Sequence, residues 1–230
     1  MAHRYHAVQD PAHFWRQFGV QVPSVSPDVN VHDQGVFICR PRTDAARGGK
    51  LPRFEAAAGR WGLIPLFSPD GRDRFTHEAH SETAATERNF YQPWKRSHRC
   101  VVVADALFET TESGNEIRIE RFDGEPFCIA GLWNGWRSPQ GTCVESFALL
   151  TIDATEDVLM AQLRGERPQR RPVILPDGWV DEWLYAPLEE TSAFLRPYPL
   201  QMWVTELPMN EAPCVPPIQT TSIAVAASFG

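Results

Sequence analysis

The sequence contains no apolar run of membrane-spanning length, and its first ten residues, MAHRYHAVQD, lack the apolar stretch of a secretion signal. Neither a membrane span nor an export leader is expected, and the chain reads as cytoplasmic. It has no CxxC pair. Cys39, Cys100, Cys128, Cys143 and Cys214 are scattered and odd in number. That excludes a disulfide framework or a zinc ribbon and suits a reducing compartment. Excess positive charge is also missing: the formal net charge is −7. A protein that coats nucleic acid without selectivity carries a basic face instead. With no internal repeat and no long polar linker, the 230 residues read as one domain over residues 1–215 with a tail over 216–230.

What is present begins with apolar material for a core: 43% of the residues, including eight Trp and thirteen Phe. Asp10-Pro11 is a helix-start signal, and Phe14, Trp15 and Phe18 follow at helical spacing until Gly19. Pro23 and Pro27 make Gln21–Asn30 an extended connector. Gly35–Arg40 reads as a strand and Thr43–Lys50 as a loop. Arg60–Phe67 (RWGLIPLF) is an apolar segment ended by the turn Ser68-Pro69-Asp70-Gly71. His77–Thr83 is expected to open a helix running into Arg88.

Beyond it, turns at Ser113-Gly114-Asn115 and Asp123-Gly124 flank a strand carrying Ile117 and Ile119. Phe127–Trp133, Ser146–Thr151, Val173–Leu175 and Met202–Thr205 read as strands. Asp153–Leu163, Val180–Tyr185 and Leu188–Leu195 read as helices. The expected class is α+β: a single mixed domain with a curved antiparallel or mixed sheet, or small barrel, and surrounding helices.

Arg99–Thr110 (RCVVVADALFET) is the centre of this pattern. Its small and β-branched residues form a run too short for a helix, the mark of a strand buried on both faces. The run delivers one carboxylate, Glu109, behind Leu107 and Phe108. Apolar surroundings disfavour the ionised form and raise a carboxyl pKa, which is how a fold makes a general acid or base. Two basic clusters interrupt the acidic background: Lys95, Arg96, His98 and Arg99, and then Arg164, Arg167, Arg170 and Arg171.

Six segments occur in an order that resembles one family: MAHRY (1–5), WGLIP (61–65), SET (81–83), RCVVVADALFE (99–109), AGLW (130–133) and RRPVIL (170–175). Together they resemble the SOS response-associated peptidase family, whose members bind single-stranded DNA and cross-link to abasic sites. The resemblance implies a single mixed domain around a barrel-like sheet. In the family, removal of Met1 exposes a cysteine. Its amine forms an imine with the opened abasic sugar, and its thiol closes that imine to a thiazolidine.

This chain has Ala2 at that position, and a methyl group cannot close the ring. His3 replaces the usual glycine, whereas Arg4 and Tyr5 fit. The motif NARxET falls on Glu78 to Thr83, putting Glu78 in place of its asparagine and His80 in place of its arginine. HxRMP falls with Pro168 for its histidine and Arg171 for its methionine. Thr110 and Phe67 stand where the family has tryptophan, and Glu109 alone keeps the catalytic residue type.

The resemblance therefore implies a divergent member that binds single-stranded or abasic-site DNA and has lost the cross-linking chemistry. The alternatives are a residual lyase or hydrolase using the N-terminal amine and Glu109, and a pseudoenzyme binding a protein or small molecule in the same groove. Its site would comprise Glu109, Ala2 and Glu78. Arg4, Trp61, Phe67, His80, Lys95 and Arg170 would line the DNA groove and supply cations and stacking surfaces. Trp61, judged by its apolar neighbours alone, reads as core, and an anionic Glu78 would repel phosphate. His77 and His80 lack the i, i+4 spacing of HExxH, so neither metal nor cofactor is expected. A monomer is the expected state.

Overall fold

The computed structural model describes residues 3–42, 52–72, 75–157, 160, 170–197 and 202–206. The chain runs β1 (Arg4–Ala7), α1 (Pro11–Phe18), β2 (Asp28–Asn30), β3 (Gln34–Cys39), β4 (Glu55–Trp61), β5 (Glu78–His80) and α2 (Tyr91–Lys95). It continues through β6 (Arg99–Thr110), β7 (Glu116–Arg121), β8 (Phe127–Arg137), β9 (Cys143–Asp153), β10 (Arg170–Pro172), α3 (Val180–Tyr185), a 3-10 segment (Leu188–Phe194) and β11 (Met202–Glu206).

Five strands close on themselves. β3 pairs with β4, β4 with β9, β9 with β8, β8 with β6, and β6 with β3. A barrel this small is filled by its own side chains. Alternation along the strands therefore divides the core in two. Phe37, Trp61, Cys100, Val102, Ile129, Phe147 and Leu149 share the inner cluster. Ile38, Val101, Val103, Ala130 and Leu150 belong to an outer cluster completed by Phe14 and Phe18 of α1 and by Trp183 and Leu184 of α3. Where β6, β8 and β9 run together the backbone is close. A Cβ at Gly131 would lie 2.6 Å from the Ala148 carbonyl oxygen and 2.9 Å from Cys100 Sγ.

β6 outruns each of its barrel neighbours, and β9 is as long as β8 and longer than β4. β6 therefore extends beyond the barrel to pair with β1 and β7, and β9 extends to pair with β5 and β10. β6 is the organising strand that its sequence indicates. Helix α1 starts and stops as its residues require: the Asp10 carboxylate accepts from Ala12 N–H at 2.9 Å, and Gly19 ends it at φ 65°.

Several expectations need correction. His77–Thr83 opens no helix. Glu78–His80 is a strand, and turns follow it to Phe90. The exposed edge of β9 from Leu149 to Thr151 offers a parallel ladder, and three residues gain more from that pairing than from one unsupported helical turn. The apolar segment Arg60–Phe67, to which the sequence assigns no element, gives its first two residues to the strand Glu55–Trp61, which stops where Gly62 takes φ 138°. The strand placed at Val173–Leu175 is Arg170–Pro172 instead, with Ile174 making a single bridge to Ile129. The helical segment expected at Leu188–Leu195 is present, as a 3-10 helix over Leu188–Phe194. The helix expected from Asp153 does not start there: Asp153 closes β9 and Ala154–Asp157 form a turn; residues 158, 159 and 161–163 lie outside the described residues, as do the Thr43–Lys50 loop, Arg164, Arg167, Pro168 and the tail.

Candidate functional site

The position of Glu109 follows from an irregularity in β6. Opposite it, His6 pairs with Ala106 but Ala7 pairs with Ala104, so Asp105 is the extra residue of a bulge. Before the bulge the even-numbered Cys100, Val102 and Ala104 face inward. After it, Leu107 belongs to the inner cluster, and Glu109, two residues on, points the same way. Without the bulge Glu109 would face outward. It is 2% exposed and opposite Ile117, itself buried. Asp105 is half-buried, and burial raises its pKa against the opposing pull of His6, His13 and Arg118.

The N-terminal segment arrives at this strand end. The His3 N–H donates to the Phe108 carbonyl at 3.3 Å, and Val31 N–H donates to His3 at 3.3 Å. Ala2 lies outside the described residues. Tyr5, opposite Leu107, packs its ring 5.2 Å from Trp61, and Trp61 in turn packs 6.3 Å from His77. The Trp61 indole donates to the His77 carbonyl at 2.9 Å. Tyr5 and Trp61 are completely buried, so Trp61 is a wall of the site and presents no stacking face.

Glu78, next to His77, shares the face of its ladder partner Leu149. Its Oε1 lies 3.9 Å from His77 Nε2, and its Oε2 is buried with no hydrogen-bond partner. His80 is exposed on the same strand, opposite Thr151. Contacts thus connect the Glu109 strand end to Glu78 through Tyr5, Trp61 and His77.

The cations expected in the groove are mostly engaged. Arg4 lies 3.7 Å from the Phe108 ring centroid, donates to Glu116 at 2.6 Å and pairs with Asp28 at 3.2 Å. Arg170 donates to Glu82 at 2.7 Å and to the Thr151 carbonyl and hydroxyl. Burial pushes the Glu82 carboxyl up, but backbone hydrogen bonding and Arg170 bring it below the ordinary range. Lys95 is exposed, 5.6 Å from the Tyr91 ring. Phe67 is 47% exposed, with the Arg88 guanidinium 4.1 Å over its ring. Sequence reasoning did not single out Arg88, and its distance from Phe67 in the chain gives no signal. The partners Glu116 and Asp28 were equally hidden.

Among the described residues no buried thiol replaces the missing nucleophile at residue 2. Burial pushes Cys39 and Cys128 up to about 12 and Cys100 well above its ordinary value, which keeps them protonated at neutral pH. Among the described residues no group of three or more His, Cys, Asp or Glu is placed to hold a metal ion, and no helix is long and apolar enough to cross a membrane.

A five-stranded barrel with the N-terminal segment laid against a buried glutamate defines a class of single-domain mixed α+β protein. Residues 1–210 match the sequence profile of the SOS response associated peptidase (SRAP) family, and the chain belongs to that family. It is similar to the abasic site processing protein YoqW of Bacillus subtilis, with 31% identity over 130 residues, covering 54% of this chain and 55% of that protein. It is also similar to the abasic site processing protein HMCES of Gallus gallus, with 25% identity over 196 residues, 70% of this chain and 56% of that protein. These matches span little more than half the length of either relative. A crystal structure of a Bordetella bronchiseptica protein superposes with a TM-score of 0.80 at 32% identity, covering 91% of this chain and 100% of the other. One from Bacteroides thetaiotaomicron shares the fold, with a TM-score of 0.72 at 20% identity and coverage of 88% and 91%.

Proposed function

We propose that this protein binds single-stranded DNA containing an abasic site at the Glu109 end of β6, and that it forms no stable cross-link there. The observation that carries the reading is the hydrogen bond from His3 N–H to the Phe108 carbonyl. It lays the N-terminal segment beside the strand end that bears the buried Glu109. Family membership and relatives named as abasic site processing proteins support the choice of ligand. The unpartnered Glu78 Oε2 is an acceptor suited to a sugar hydroxyl and unsuited to a phosphate. Phe67 and Arg88 offer a stacking surface with a cation beside it.

The chemistry available is limited by Ala2. With Met1 removed, its amine has an ordinary pKa of roughly 7.7–8.0, so a neutral fraction exists near pH 7. That amine can condense with the aldehyde of an opened abasic sugar, losing water to give an imine. Residue 2 carries no thiol to add to the imine carbon. The imine therefore either hydrolyses back or loses a proton from the adjacent carbon and expels the 3′ phosphate, cleaving the strand. Burial of Glu109 beside this segment favours such a residual lyase as a second reading.

Both readings are tested by incubating an abasic oligonucleotide with Met1-containing and Met1-free protein, with and without borohydride. Binding without any heat-stable adduct is expected when borohydride is omitted. An adduct trapped only with borohydride, and only from Met1-free protein, would establish the lyase. A stable cross-link without reductant would overturn the loss of chemistry.

A further inference from the structure

The basic cluster that opens β6 lies at the opposite end of that strand from Glu109, roughly 30 Å away at the rise of a β-strand. It has no part in the function proposed above. Cys39 and Cys100 are paired across β3 and β6, so the next residues outward, Arg40 and Arg99, follow as opposing positions. Like charges placed this way repel unless something lies between them. Arg99 is 2% exposed. Among the described residues its donors reach only neutral oxygens, Thr191 Oγ1 at 3.1 Å and the Ala186 carbonyl, and its buried Nε has no partner there. Burial first, and then Arg40, pulls its pKa down to about 10, with no carboxylate acting in the other direction.

The turn between α2 and β6 adds to the same field. Arg40 donates to the Ser97 carbonyl at 3.3 Å, and Ser97 sits in the left-handed region at φ 52°. Arg96 is exposed on one side of it. On the other side His98 stacks flat on Trp133, centroids 4.6 Å apart and planes within 12°, which fixes the ring. His98 Nδ1 is buried without a hydrogen-bond partner. Burial, then Arg96 and Arg40, lowers its pKa to about 4. By contrast, Arg42 nearby in the chain is paired with Glu55 and Glu145.

We propose that Arg40, Arg96 and His98, above the buried Arg99, form a binding site for a phosphoryl group. Two guanidinium forks match the several acceptor oxygens of such a group better than they match water. The neutral, oriented imidazole supplies a further hydrogen bond through Nδ1. The phosphoryl group can come from a nucleic-acid backbone or from a small phosphate ester, and the chemistry recognised is the same.

The test follows the imidazole NMR signals of the full chain during titration with pyrophosphate or a short oligothymidylate, against sodium chloride of equal ionic strength. The His98 signals should move, and its pKa should rise by about one unit or more as an anion settles beside it. Arg40→Gln or Arg96→Ala should each weaken the response about tenfold, while Arg16→Ala, which removes only a surface pair with Asp10 on α1, should leave it unchanged. Movement with both probes assigns the site to a strand backbone, and movement with pyrophosphate alone assigns it to a small phosphate ester. No movement of His98 at millimolar pyrophosphate would overturn the site. So would a response that survives the Arg40→Gln/Arg96→Ala double substitution. Failure of the abasic-DNA reading would leave these signals unaffected, because its experiment reads the other end of β6.

Discussion

The two ends of β6 treat positive charge in opposite ways. At the Glu109 end, Arg4 is held by Glu116, Asp28 and the Phe108 ring. At the Arg99 end, Arg40 and Arg99 face each other beside Arg96, and none of the three makes an ion pair among the described residues. The first arrangement spends its cation on architecture, orienting the N-terminal strand. The second leaves cations available to a ligand. A motif search assigns the opposite roles, because Arg4 falls in a familiar segment and Arg40 does not.

The largest expected effect comes from breaking the Glu109 end. Trp61 fills the space between Tyr5 and His77 and is completely buried. Trp61→Ala should cost about 3–5 kcal/mol of stability, measured by denaturant unfolding. A loss under about 1 kcal/mol would mean that β1 is not braced through Trp61.

Next is the stacking surface. Phe67→Ala removes an exposed ring beneath Arg88, so it should hardly change unfolding. If a base stacks there, it should weaken single-stranded DNA binding by about 1–3 kcal/mol. Equal affinity for both proteins at low salt would remove Phe67 from the DNA path.

Arg4→Ala separates architecture from ligand binding at the same end. The side chain is partly exposed, so solvent screening limits its two ion pairs, and the ring contact adds a similar small amount. A stability loss of about 1–2 kcal/mol is expected. If Arg4 also touches DNA, affinity should fall alike for all sequences and with a shallower salt dependence. A loss of stability without loss of affinity would make it purely structural.

Much of the fold was legible because burial dictated it. The apolar runs of β6, β8 and β9 needed two covered faces, and the capped, aromatic α1 needed one. The strand at Glu78–His80 was hidden because HEAHSET has no strand pattern of its own; its conformation is imposed by the free edge of β9. The site was legible at Glu109 through its apolar neighbours. The bulge at Asp105 that turns Glu109 inward depends on β1 pairing and leaves no local mark. Arg4 was recognised as a residue but not in its role, since Glu116 and Asp28 approach it only through the folded sheet.

The smallest effects at neutral pH belong to the Arg99 end, and they sharpen the contrast most. Folding lowers the His98 pKa from an ordinary value near 6.5 to about 4, through burial, Arg96 and Arg40. Between those values the unfolded chain binds a proton that the folded chain refuses, so this residue's contribution to stability falls as pH drops from about 6.5 to about 4. Below about 4 both states are protonated and the dependence ends. His98→Gln should flatten unfolding stability across that window relative to the parent. Arg96→Ala should change stability at pH 7 by less than about 0.5 kcal/mol, as expected for an exposed side chain without an ion pair. It should nevertheless raise the His98 pKa and reduce the acid-dependent loss, because one of the charges opposing protonation is gone. A His98 pKa unmoved by the Arg40→Gln/Arg96→Ala double substitution would show that burial alone sets it, and the two ends of β6 would then differ in packing rather than in the field they hold.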